Sequence, residues 1–256
     1  MKRTIIIVSV ICAAMLFLTA TESKAQEADQ EQVQEEVQAQ EEVAQAESNA
    51  VSLPRFRIAL QGGYGYRLAK LFTTGNSLVD KHNQKLKYGP VYGGDLTYFF
   101  SNDFGVGVKF SNMHSKAYDP HVIITDEYGN SRIGDYRDNI DIMYVGPTFA
   151  GRLLHNTGNN VFYYAVGVGY VGYKDNGQII DEVLIKGNTI GFCFDFGYEI
   201  RLLGNMFIGL NLCGITGVLY NVTQTMNGVT KEIKLDKDEL ENLMHVSLSA
   251  GLRYYL

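Results

Sequence analysis

The chain has 256 residues and a mass of 28.5 kDa, and 46% of its residues are hydrophobic, 20% charged and 12% aromatic, which suits one ordinary domain and leaves no room for a multidomain enzyme. Its formal charge of −6 is concentrated in one N-terminal stretch; beyond Val51 acidic and basic residues balance, which argues against the basic face of a nucleic-acid binder. Twenty-seven Gly, seventeen Tyr, thirteen Phe and no Trp also fit poorly with a soluble α/β enzyme.

Lys2 and Arg3 precede an apolar run over residues 5–20, and Ser23, Lys24 and Ala25 form the small-x-small pattern that signal peptidase reads. Residues 1–25 are expected to be a cleaved signal peptide, because the run is short of the roughly 20 residues that anchor a helix in a bilayer. Cys12 leaves with it, so the exported chain keeps Cys193 and Cys213. The compartment permits a disulfide between them. Spacing alone leaves open both that bridge and separate packing in two strands. Residues 26–52 are rich in Glu, Gln, Ala and Val, with no aromatic residue, and read as a disordered acidic periplasmic linker. A short coiled coil through Val33, Val37 and Ala44 is the alternative.

From Phe56 the hydrophobic period is two, the signature of a strand with unlike faces. Residues 56–68 set Phe56, Ile58, Leu60, Tyr64 and Tyr66 against Arg57, Gln61, Gly63 and Arg67. Residues 87–100 set Tyr88, Tyr92, Leu96 and Tyr98 against Lys87, Gly93 and Asp95, and residues 104–114 set Phe104, Val106, Val108 and Phe110 against Gly105, Gly107 and Lys109. In residues 139–152, Ile140, Ile142 and Tyr144 oppose Asp141, but Phe149 falls on the other parity. The alternation returns in residues 162–174 and is cleanest in 188–202, where Ile190, Phe192, Phe194, Phe196 and Tyr198 oppose Cys193, Asp195, Glu199 and Arg201. Residues 206–220 and 244–256 complete eight segments.

Connections alternate in length. Residues 101–103, 153–160 and 203–205 are short, whereas 69–86, 115–138, 175–187 and 221–243 are long and polar. Within 115–138, the Val122 to Thr125 core suits a protruding hairpin. The pattern predicts an all-β fold: an eight-stranded antiparallel transmembrane β-barrel over residues 53–256, with short periplasmic turns and long extracellular loops. A soluble lipocalin-like barrel or sandwich would show the same alternation with the apolar face turned inward. The small residues on the polar face favour the membrane, because they leave room inside a narrow ring for long polar chains.

The Ile142 to Pro147 stretch, the Gly-x-Gly-Tyr pieces at Gly63 to Tyr66 and Gly167 to Tyr170, and the closing strand resemble small outer-membrane β-barrel proteins. The nearest groups are the OmpX-like and OmpA-transmembrane-like barrels and the "outer membrane protein beta-barrel" family common in Bacteroidota. That resemblance implies residence in the outer membrane among lipid and lipopolysaccharide. It also implies a C-terminal insertion signal read by the barrel-assembly machinery, here Leu248, Ala250, Leu252, Tyr254 and Leu256, with Leu256 where the family usually has Phe.

With odd positions facing the lumen, Arg57, Arg67, Lys87, Lys109, Arg201 and Arg253 share it with Asp95, Asp141, Asp195 and Glu199. Eight strands enclose little more than their own side chains, so these charges are expected to pair into a plug; a narrow ion path through them is the alternative. No cofactor is expected, because no His/Cys cluster has metal-ligand spacing along the chain and neither a phosphate loop nor a nucleophile elbow is present. His245 with Ser247 and His114 with Ser111 are the pairs to weigh for a lipid-modifying enzyme, but neither has an identifiable carboxylate partner. The expectation is a non-enzymatic structural or surface-binding protein whose loops meet a surface ligand or host protein and no nucleic acid, with a porin-like channel as the alternative.

Overall fold

The computed structural model describes residues 53–69, 77–125, 131–155, 158–178, 181–236 and 240–256, so the expected signal peptide and acidic linker lie outside the described residues. The alternating segments form strands β1 (Phe56–Arg67), β2 (Tyr88–Phe99), β3 (Phe104–Thr125), β4 (Ser131–Leu154), β5 (Asn160–Gln178), β6 (Glu182–Leu203) and β7 (Met206–Thr216). Four short strands follow: β8 (Val218–Leu219), β9 (Asn221–Met226), β10 (Val229–Lys234) and β11 (Glu241–Asn242). The last strand is β12 (His245–Tyr255), and one helix, α1 (Ser77–Lys85), lies between β1 and β2.

Strands β1 to β7 each pair antiparallel with the next, and β12 pairs with both β7 and β1, which closes a ring of eight. Closure is anchored where the ring begins and ends. Phe56 N donates to Leu256 O at 3.1 Å and Leu256 N donates back to Phe56 O at 2.8 Å. A closed ring has no edge strand, so every backbone group of the wall can find a partner without water.

The apolar face points outward. Leu60 is 69% exposed and Ile190 75%, while Arg57, Lys109, Glu199 and Arg253 on the opposite parity are at most 1% exposed. Aromatic residues border this surface. Near the short turns stand Phe56, Tyr98, Phe104, Phe149 and Tyr254, with Phe56 against Tyr98 at 4.9 Å between ring centroids. Toward the long connections stand Tyr64, Tyr66, Tyr88, Tyr92 and Tyr170, with Tyr66 against Tyr88 at 5.0 Å. Ten residue steps separate Phe56 from Tyr66; at about 3.3 Å each and a tilt near 40° they make a band about 25 Å tall, the height of a bilayer core.

Beyond the upper aromatic row the strands continue, and there the structure corrects the sequence reading. The long connection 115–138 is mostly strand: β3 and β4 run for 22 and 24 residues, so the protruding hairpin expected at residues 122–125 is there but is a continuation of the wall strands themselves. Their register shifts between Asp119 and Val122, at a bulge where His121 has φ 57°. The connection after β7 also holds structure. β9 takes over as the neighbour of β6 at residues 183–186, and β9 turns into β10 through Asn227 and Gly228, both with positive φ as a tight hairpin turn requires.

The segment at 139–152 had carried the weakest alternation, and its parity is reversed. Register places Lys109 opposite Gly146 and Ser111 opposite Tyr144, so even positions of β4 face the lumen. Phe149 and Leu153 therefore belong to the lipid-facing set rather than breaking it.

Candidate functional site

The interior has two storeys. The lower one, near the short turns, is charged. Arg57 donates through Nε (3.0 Å) and Nη2 (2.6 Å) to Glu199 Oε1 and through Nη1 to Asp95 Oδ1. Tyr255 donates to Glu199 Oε2 at 2.8 Å, and Arg253 Nε stands 3.7 Å from Glu199 Oε1 while its other nitrogens donate to Gly209 O and Gln61 Oε1. The Arg57 guanidinium also lies 3.9 Å over the Tyr163 ring. Gly209 makes this approach feasible, because a Cβ there would come within 3.2 Å of both Arg253 Cζ and Glu199 Cγ. One step up, Lys109 Nζ meets Asp195 Oδ2 at 2.7 Å and Asn211 Nδ2 donates to Asp195 Oδ1 at 2.8 Å.

The upper storey is apolar. Leu86, Ile140, Ile142, Tyr144, Val171, Ile215, Leu219 and Leu243 close over the charged layer. Sequence parity had predicted charges along the whole lumen; the reversed face of β4 supplies hydrocarbon instead.

Six of the ten expected lumen charges thus come together: Arg57, Asp95, Lys109, Asp195, Glu199 and Arg253. The other four are elsewhere. Arg67 pairs with Glu241 at 2.5 Å at the long-connection end, and Lys87 lies 5.6 Å over the Tyr66 ring. Arg201 donates to the carbonyls of Gly158 and Gly204 at the short-turn rim. Asp141, on β4, faces outward and holds His114 Nδ1 at 2.7 Å, a correction that follows from the parity of that strand. Arg152 was missed for the same reason. It is fully buried, and its guanidinium donates to the carbonyls of Asn102, Pro54 and Leu53, which ties the entry of β1 to the first short turn. The conspicuous outward set Val145, Pro147, Phe149 and Leu153 was the signal that could have revealed it.

The weighed histidine pairs are not assembled. Ser111 faces the lumen and His114 the outside, and His245 Nδ1 meets Leu243 O at 2.9 Å while Ser247 stands in the same inward row. His114 has a carboxylate partner in Asp141 but no serine beside it, and a further histidine is engaged through both ring nitrogens. His82 on α1 is completely buried, with Nδ1 2.8 Å from Asp119, Nε2 2.9 Å from Asp138, and its ring stacked 3.6 Å from Tyr136. These contacts dock α1 against the protruding hairpin. The hydrogen bond from Lys85 holds the Asp119 carboxyl below its ordinary range.

Asp175, beyond the upper aromatic row, behaves oppositely: burial, and then the charge of Asp138, push its carboxyl up to about 7. An acid whose folded pKa exceeds its unfolded value binds more protons folded, so stability falls as pH rises from about 4 to about 7 and is level above that. Asp175→Asn is expected to abolish this slope, its advantage over the unaltered chain growing between those pH values in denaturant titrations. Parallel curves for the two proteins would refute the assignment.

On the outside, just above the upper aromatic row, a groove of about 680 Å³ opens between the extended wall and the β9–β10 hairpin. Asp141, Lys174 and Lys186 stand opposite one another across β4, β5 and β6, and the row continues through Thr223 to Glu232. Tyr170 and Tyr220 line it as well. Two lysines directly opposite on adjacent strands repel, and the flanking carboxylates or a bound anion would offset that cost.

A closed eight-stranded ring with a bilayer-height apolar belt outside and a filled, partly charged interior has the architecture of a small transmembrane β-barrel. No family model matches the chain, and no curated protein matches it. Solved structures resemble it. A major outer membrane protein from Thermus thermophilus superposes with a TM-score of 0.49 at 11% identity, covering 78% of this chain and 98% of that one. OprG from Pseudomonas aeruginosa gives 0.47 at 10% identity, covering 80% and 99%. Neisserial surface protein A gives 0.44 at 12% identity, covering 78% and 97%. Likeness of this degree carries nothing about role.

Proposed function

We propose that this protein binds an anionic, hydroxyl-rich headgroup of the lipopolysaccharide class at its outer rim, and that the barrel interior is a plug and not a conduit. The groove carries the reading: Lys174 and Lys186 stand side by side at the height of lipid headgroups, with tyrosines for sugar rings and acyl stems. Support for the plug comes from the two interior storeys, since ion-paired charges fill the lumen below and an apolar cluster packs across it above. The role is non-catalytic in this reading. The chain is exported by cleavage after Ala25 and inserted by assembly machinery that reads Leu248, Ala250, Leu252, Tyr254 and Leu256, all on the lipid face of the last strand or its end.

Titration of the folded barrel in neutral detergent with lipopolysaccharide is expected to saturate, and Lys174→Glu with Lys186→Glu to weaken binding at least about tenfold, the worth of one strong charge-assisted contact. Unchanged binding would overturn the groove as the site. In planar bilayers the folded barrel is expected to be silent, and discrete conductance steps that change when Lys109 or Asp95 is neutralised would replace the plug with a channel.

A further inference from the structure

Cys193 and Cys213 were too far apart in sequence to read as ligands, but register joins them. Asp195 on β6 stands directly opposite Cys213 on β7, and Cys193 is the next inward residue of β6. All three side chains are buried, both cysteines are free thiols, and their ligand atoms lie within 4.8 Å of one another. We propose that Cys193, Asp195 and Cys213 form a binding site for a thiophilic divalent cation of the zinc class inside the barrel, independent of the outer-rim groove.

The spacing of the donors is the first argument. The two sulfurs are 3.8 Å apart, and Cys193 Sγ is 3.6 Å from Asp195 Oδ2. A tetrahedral ion with bonds of about 2.3 Å to sulfur and about 2.1 Å to oxygen requires edges of about 3.8 Å between sulfurs and about 3.6 Å between sulfur and oxygen. Two of the three edges already have those lengths, and the third is no longer than 4.8 Å. A disulfide would need the sulfurs to close to about 2.05 Å.

The second argument is charge. Without an ion, Lys109 and Asp195 neutralise each other and the thiols are uncharged. Binding a dication releases one proton from each thiol, and the two thiolates, the carboxylate, the ammonium and the ion again sum to zero. A dry interior tolerates that balance and would not tolerate an excess charge. Asn211 at 2.8 Å holds the far oxygen, Oδ1, as the outer partners of metal-bound carboxylates do, while Lys109 at 2.7 Å shares Oδ2 with the site and keeps the carboxylate ionised.

The third is an unsatisfied neighbour. The Tyr144 hydroxyl is buried without a hydrogen-bond partner. It rests 2.9 Å and 2.8 Å from where a Cβ would stand on Gly146 and Gly167, and Gly167 is the residue opposite Cys193. A buried polar atom without a partner is costly, and a water or ion in the adjoining site would satisfy it. Three protein donors with an oxygen close by suit a four-coordinate ion.

The test uses the chain from Gln26 to Leu256, which lacks Cys12, refolded in detergent under a thiol-free reductant and titrated with cobalt(II). One equivalent is expected to produce thiolate-to-metal charge-transfer absorption that zinc then removes. Cys193→Ser or Cys213→Ser should abolish it, and Asn211→Ala should weaken binding roughly 10–100-fold, each variant being checked for folding by heat-modifiable gel mobility. A folded chain that gives no such band overturns the site, as does a band that survives in the double serine variant. Protein isolated from cells without reductant is expected to show two titratable thiols once metal is chelated; a Cys193–Cys213 disulfide would overturn the proposal instead.

Discussion

Glu199→Ala is expected to destabilise the folded barrel by about 3–5 kcal/mol, the largest loss for any single interior substitution, because it strips the acceptor from buried cations. Glu199 takes two hydrogen bonds from Arg57 and one from Tyr255, and it is the carboxylate nearest Arg253. Without it, Asp95 alone answers two buried guanidinium groups. Tyr255→Phe removes only one donor and should cost about 1–3 kcal/mol. Urea titration followed by tyrosine fluorescence and by heat-modifiable mobility measures both; a loss below about 1 kcal/mol for Glu199→Ala would show that the layer is hydrated rather than dry.

Leu60→Arg tests which face meets lipid. Leu60 lies midway between Phe56 and Tyr64 on the outside of β1, opposite Leu252 of β12. An arginine near the bilayer midplane of a barrel wall costs about 2–4 kcal/mol, and the cost falls toward zero at the interfaces. Ile133, 73% exposed but on the protruding hairpin, is the control: Ile133→Arg is expected to change folding into lipid vesicles by less than about 0.5 kcal/mol. Equal effects at the two positions would mean that the apolar belt is not embedded, and the soluble-barrel reading would return.

Much of this was legible residue by residue. Phe194 against Asp195, or Leu252 against Arg253, declares two faces, since a period of two has one structural meaning when it persists for ten residues. The strand assignments and the lipid-facing rows around them followed directly. Residues 139–152 were harder because both faces of β4 carry apolar side chains at different heights: Ile140 and Ile142 pack inside the upper storey while Val145 and Phe149 meet lipid lower down. Alternation vanishes where both surroundings are apolar, and with it went the correct side for Asp141 and the recognition of Arg152.

The buried sites were less legible still. His82 finds Asp119 and Asp138 across 37 and 56 residues, and Cys193 finds Cys213 through strand register alone. No spacing along the chain encodes such meetings. Local sequence determined that this protein builds a two-faced antiparallel wall, because side-chain periodicity is a property of each strand by itself. Only the tertiary structure decided which charges neutralise one another, where hydrocarbon closes the lumen and which donors share a site. Those depend on ring closure and on the stagger between strands, and a shift of a single residue there turns every side chain to the opposite face.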